Sequence, residues 1–118
     1  MKLRLFAMTG GLIVLASAAF ALPAMESAFY TNYKTAKTSN IKKADCVLCH
    51  VAKGKIKLNP YGEDIKKALA GSKTLTPEIL KQVESLDSDK DGISNIDEIK
   101  ADSLPGDPKS KPAAAEKK

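Results

Sequence analysis

Apolar positions recur along this chain at intervals of three and four, and no run alternates in the way a strand requires, so the pattern predicts an all-α protein. Met25, Phe29 and Tyr33 share one face of a first helix over roughly residues 24 to 35, opened by Pro23 and broken by "KTSN". Asp45 is placed to cap a short second helix that carries Cys46, Cys49 and His50 on one side, with Gly54 ending it. Pro60 starts a third, with Tyr61, Ile65, Ala68 and Leu69 inward and Gly71 as its C-cap. Thr76-Pro77 opens a fourth, whose stripe is Ile79, Leu80, Val83 and Leu86. After the interruption "DSDKDGISNIDE", Ile96 and Ile99 mark a short fifth helix ending near Asp102, and residues 105–118 read as an extended, flexible tail.

The amino terminus follows a different pattern. Lys2 and Arg4 precede an apolar run from Leu5 to Leu22 that ends in small residues, the layout of a secretory signal peptide. Cleavage after Ala21 fits Ala19-Phe20-Ala21, with Ala16-Ser17-Ala18 as the second choice; an uncleaved anchor is the competing reading, since a spanning helix needs about 20 apolar residues. The expected domain plan is therefore a signal peptide at 1–21, a first region at 22–75, a second at 76–104 in the same compact unit, and the tail. The expected location is periplasmic or extracellular.

The only two cysteines and the only histidine of the chain stand together in "CVLCH", residues 46 to 50. Two thiols at this spacing, followed at once by an imidazole, suit the two vinyl groups and the iron of a covalently attached haem. A structural zinc would lack two of its four ligands unless it borrowed carboxylates. A thioredoxin-type pair needs strands that this chain does not predict, and a disulfide across two residues would staple almost nothing. Haem also answers a compositional problem: a small mature chain without tryptophan, whose aromatics are Phe29, Tyr30, Tyr33 and Tyr61, is expected to gain its core from a large apolar group placed inside it.

Through "CVLCH" and the following "LNPYG" the chain resembles the small monohaem c-type cytochromes, over about residues 24 to 70; the second motif is similar to their Gly-Pro-x-Leu region. The resemblance implies a haem-wrapping helical fold, Cys46 and Cys49 as the attachment points, His50 as proximal ligand, and the Pro60 carbonyl as the group that orients its ring. It departs where the family's methionine ligand should follow, because no methionine lies beyond the motif. Met25 is the one methionine left after cleavage at Ala21, on the face shared with Phe29 and Tyr33, so the sixth ligand is expected from in front of the motif. Ordinary core packing for Met25, an open or water-bound iron, and Lys34 or Lys57 are the alternatives.

A closed Met/His iron suits transfer of one electron, and an open one suits a ligand sensor. Peroxide chemistry needs a distal acid-base group and a charge-stabilising partner, usually His and Arg. Arg4 is the only arginine and leaves with the signal peptide, so the chain is not expected to be an enzyme.

"DSDKDGISNIDE" matches D-x-[DN]-x-[DN]-G-x5-E at every defined position. Asp87, Asp89 and Asp91 occupy positions one, three and five, Gly92 makes the turn, Ile93 offers its carbonyl, Asn95 stands at nine and Glu98 at twelve, an oxygen set suited to Ca2+. Its helix-loop-helix setting resembles an EF-hand, and its wording is similar to thrombospondin type 3 and dockerin-like calcium loops. Ser94 replaces the apolar residue that pairs two EF-hand loops, and no second loop exists, so the expected role is a structural clamp; a solvated acidic turn is the bland alternative.

Charge is unevenly spread. Residues 22 to 75 carry ten lysines against four acids, and 76 to 118 seven lysines against ten acids. Lys53, Lys55 and Lys57 follow the cysteine motif directly, so redox partners with an acidic docking surface are expected, while nucleic acid is not, and no membrane contact is expected after cleavage. The sequence thus points first to an exported electron-transfer cytochrome with one haem c and one calcium ion. The competing classes are a haem-based ligand sensor with an open distal site and a calcium-dependent binding module in which haem is structural.

Overall fold

A computed structural model describes residues 21–113, so the signal peptide over 1–21 falls outside the described residues except for its last position. Among the described residues five helices follow one another: α1 (Ala21–Asn32), α2 (Asn40–Ala44), α3 (Pro60–Leu69), α4 (Pro77–Glu84) and α5 (Asn95–Lys100), with a 3-10 turn at Asp45–Leu48 between α2 and α3. No strand forms among the described residues; one isolated antiparallel bridge joins His50 to Leu58. None of these helices is long and apolar enough to cross a membrane. The all-α expectation holds at this level.

Local chemistry explains most of the helix ends. The side chains of Ser39, Asn59, Thr76 and Ser94 accept from Lys42 N, Gly62 N, Ile79 N and Asp97 N respectively, each satisfying an amide that the first turn leaves without a partner. Pro60 and Pro77 occupy first-turn positions where a missing N–H costs nothing. α1 begins ahead of the expected residue 24 and stops at Asn32, because Lys34 takes a left-handed backbone at φ 49°.

The second helix departs from expectation. Asp45 is not an N-cap: it is the C-cap of α2, at φ 52° where that helix meets the 3-10 turn, and Ser39 is the N-cap of α2. Cys49 and His50 lie just past the turn, and Gly54 bends the loop beyond it at φ 75°. Ala70, not Gly71, takes the left-handed cap of α3 at φ 48°.

The interior is closed by the chain's own side chains. Phe29 is its centre, with ring centroids 4.8 Å from Tyr33, 5.8 Å from Tyr30 and 6.3 Å from Tyr61, the last two edge-on. Tyr61, Ile41, Leu48, Ile65, Leu75, Leu80, Val83 and Ile99 complete the buried set, with Tyr30 and Tyr33 partly buried against it. α3 packs on α4, and α4 touches both α1 and α5. The expected tail is also corrected at its start, since Pro105 and Gly106 are buried against the rest of the fold.

Candidate functional site

Cys46, Cys49 and His50 are brought into one turn. The amides of Cys49 and His50 both donate to the Cys46 carbonyl, at 3.3 and 3.0 Å. Neither cysteine is in a disulfide; Cys46 is exposed and Cys49 half-buried. Burial, with a smaller contribution from the Glu26 carboxylate, pushes the Cys49 thiol up to about 12, so it is a neutral thiol and not a reactive thiolate. His50 Nδ1 is buried and has no hydrogen-bond partner. The Pro60 carbonyl therefore does not orient this ring as the resemblance implied; Pro60 is an exposed first-turn residue of α3.

The residue that does organise the turn is Asn59. Its side-chain amide donates to the carbonyls of Val47 (2.9 Å) and Leu48 (3.0 Å), its Oδ1 accepts from Gly62 N (2.9 Å), and its own N–H donates to the Cys49 carbonyl (2.9 Å). One buried side chain thus caps α3 and ties it to the cysteine turn. Sequence reasoning missed it, although Asn before Pro at a helix start is a recognisable cap signature.

Two hydroxyls complete the surroundings. Tyr61 Oη is buried without a partner, and burial raises both the Tyr61 and Tyr30 phenols above their ordinary range, with the Glu26 carboxylate adding to the shift of Tyr30. Lys42 Nζ stands 3.7 Å over the Tyr30 ring. Met25 is partly buried and packed against the core. Lys34 borders an apolar hollow of about 590 Å3 with Tyr33, Ile41 and Ile99, whereas Lys57 is exposed in the loop whose tip, Ile56, is 94% accessible. Neither that hollow nor one of about 370 Å3 beside Tyr30 is lined by Cys46, Cys49 or His50.

The acidic loop forms a second site. Asp87, Asp89 and Asp91 each bring a carboxylate oxygen within 4.8 Å of the others. Asp87 accepts from the amides of Asp91 (3.1 Å) and Gly92 (2.8 Å), Asp89 Oδ1 from Asp91 N (3.2 Å), and Asp91 Oδ1 from Ile93 N (2.9 Å), while Gly92 turns the backbone at φ 94°. Those bonds shape the loop and leave Asp89 Oδ2 and Asp91 Oδ2 buried without hydrogen bonds. Glu98, fully buried on α5, has neither carboxylate oxygen partnered.

Burial, reinforced by Asp89, Asp91, Asp87 and Asp107, drives the Glu98 carboxyl up to about 8; burial and Asp91 raise Asp89 to about 6. Unpartnered buried carboxylates of one sign are costly unless protons or a cation compensate them. Among the described residues Lys111 Nζ stands 3.9 Å from Asp91 Oδ2, beyond hydrogen-bonding distance. The donor set therefore fits a hard divalent cation.

Asn95 is placed differently from its expected ligand role. Its Nδ2 donates to Val83 O and Ser88 Oγ, both at 2.8 Å, and its Oδ1 accepts from Ser88 N (3.1 Å), so a fully buried amide closes the loop from inside. Ser94, unusual at its loop position, caps α5 and donates to Asp97 Oδ2 at 2.7 Å. Ser88 Oγ also donates to Asp64 Oδ2 (2.8 Å), which joins the loop to α3.

No family model, curated protein or solved structure matches this chain.

Proposed function

We propose that this chain is an exported monohaem c-type cytochrome that passes single electrons between partner proteins, with a structural calcium ion in the acidic loop. The observation that carries the reading is the collection of Cys46, Cys49 and His50 in one turn, with both thiols unpaired and a buried imidazole nitrogen left without a partner. Haem bonded there supplies a one-electron carrier whose potential is set by its axial ligands over about 0.8 V. Of the attachment residues Cys46 is exposed and Cys49 half-buried, and Val51 and Ile56 on the segment that follows are exposed apolar side chains.

His50 is the proximal ligand of this reading, and Met25 the proposed sixth. Lys53, Lys55 and Lys57 surround the exposed Ile56 and give the docking face a positive charge suited to acidic partners. Asp87, Asp89, Asp91 and Glu98 supply the carboxylates for calcium, with the Ile93 carbonyl as a fifth group. The packing of Met25 against the core favours one further reading, a haem-based sensor with an open distal face.

Mass spectrometry of the chain exported from a host that matures c-type cytochromes tests the attachment. The proposal expects one added haem, absent from Cys46→Ala/Cys49→Ala; an unmodified mass with two free thiols overturns it. The visible spectrum then separates the two readings. A ferric methionine–iron charge-transfer band lost in Met25→Leu supports the electron carrier, and ready CO binding by the reduced wild type supports the sensor.

A further inference from the structure

The segment after α5 reaches elements on both sides of the cysteine turn. Asp102 is 62 residues from Asn40, yet its carboxylate accepts the first amides of α2, from Asn40 N (2.8 Å) and Ile41 N (3.1 Å). α2 runs directly into the Asp45–Leu48 turn that carries Cys46. At the other end, Gly106 lies flat against the Asn59 side chain, where any Cβ would collide with the amide. Asn59 is the residue that holds the Val47, Leu48 and Cys49 carbonyls.

The same segment is tied to the acidic loop. Ser103 donates through both its N–H (2.9 Å) and its hydroxyl (3.2 Å) to the carbonyl of Glu98, whose own carboxylate is buried, unpartnered and within the electrostatic reach of Asp87, Asp89 and Asp91. Lys111, further along, reaches Asp91 at 3.9 Å. Position 98 therefore presents its side chain to the loop and its carbonyl to the segment that braces the cysteine turn.

From this connection we infer that calcium in the loop positions the Cys46–His50 turn, through Glu98, Ser103 and the contacts of Asp102 with α2 and of Gly106 with Asn59. The inference rests on the calcium part of the proposed function and not on the haem. A cation that draws the Glu98 carboxylate toward the aspartates restrains α5 and the segment 101–106, and with them the N-terminus of α2 and the Asn59 clamp. Asp102 and Asn59 are positioning residues here: they act on the turn and need touch neither calcium nor haem.

Amide hydrogen exchange of the full chain, titrated with calcium and with EGTA, tests this. Calcium is expected to slow exchange in residues 46–59 by about tenfold, within the usual range of coupling between sites, with the same midpoint as the loop amides at 91–93. In Asp102→Ala the loop keeps its calcium response while the slowing at 46–59 falls by half or more, and Asp102→Asn, which keeps one acceptor oxygen, restores part of it. Three results overturn the inference: a protected loop with unchanged exchange at 46–59, equal slowing throughout α4, which marks a merely global stabilisation, or full slowing retained in Asp102→Ala. A loop indifferent to calcium defeats the calcium reading itself and the inference with it, while a missing haem in the mass spectrum leaves this test intact.

Discussion

Gly62, in the first turn of α3, lies directly against the backbone carbonyl of Cys49; a Cβ there would overlap that oxygen. The obstacle is backbone on both sides, held by the Asn59 N–H bonded to the same carbonyl, so nothing flexible can yield. Alanine in place of glycine inside a helix ordinarily gains up to about 1 kcal/mol. Here the overlap outweighs it, and Gly62→Ala is expected to lose about 1–3 kcal/mol, the usual cost of overpacking. Urea denaturation measures this, and an alanine variant as stable as wild type would contradict the close approach.

Asn59 can be separated into its two jobs. Asn59→Ala removes the cap of α3 and leaves the Val47 and Leu48 carbonyls without a donor, for an expected loss of about 2–4 kcal/mol. Asn59→Asp keeps a capping oxygen but turns the donor that faces those carbonyls into an acceptor. Its loss should approach that of alanine, whereas a cap-only role predicts near wild-type stability for Asp. Chemical denaturation of the two variants side by side decides between them.

The acidic loop makes stability depend on pH in an unusual direction. Glu98 (about 8) and Asp89 (about 6) hold protons more tightly in the fold than in the unfolded chain. Without calcium, their contribution favours the fold fully below the ordinary carboxylate range and is lost as pH rises through about 6 and then about 8. Calcium competes with those protons. Thermal melts should show the EGTA-treated chain less stable at pH 8 than at pH 5, and a gain from calcium that is large at pH 8 and small at pH 5.

Glu98→Gln should reverse sign with calcium. In EGTA at pH 8 it removes a buried charge surrounded by Asp87, Asp89 and Asp91, so the melting temperature should rise above wild type. With saturating calcium it lacks the charged bidentate ligand and should fall below wild type. A variant that is less stable under both conditions would mean that Glu98 does not face the loop charges.

In unmodified protein the two thiols should differ. Cys46 is exposed, whereas Cys49 is half-buried with its thiol pushed up to about 12. Iodoacetamide at neutral pH is expected to alkylate Cys46 first, with Cys49 slower by about tenfold or more. Mass spectrometry of the partly labelled chain reads the ratio directly. Equal labelling would show that the turn opens freely.

The order of the helices and the starts of α3 and α4 were determined by the sequence alone, because each depends on residues within one or two turns of one another. Thr76-Pro77 and Asn59-Pro60 start helices through their own side chains and rings, and the stripe Leu80–Val83 needs only its spacing. "CVLCH" and "DSDKDGISNIDE" are contiguous, so their spacing was legible before their surroundings. Tertiary structure decided what surrounds them. That Phe29 meets Tyr61 edge-on in the core, that Asn95 turns inward to Val83 and Ser88, and that Asp102 caps a helix 62 residues away are tertiary pairings, and local propensity carries no information about them. The physical reason is that a buried polar group takes whichever partner the packed chain brings within about 3 Å, and only the whole fold determines which one that is.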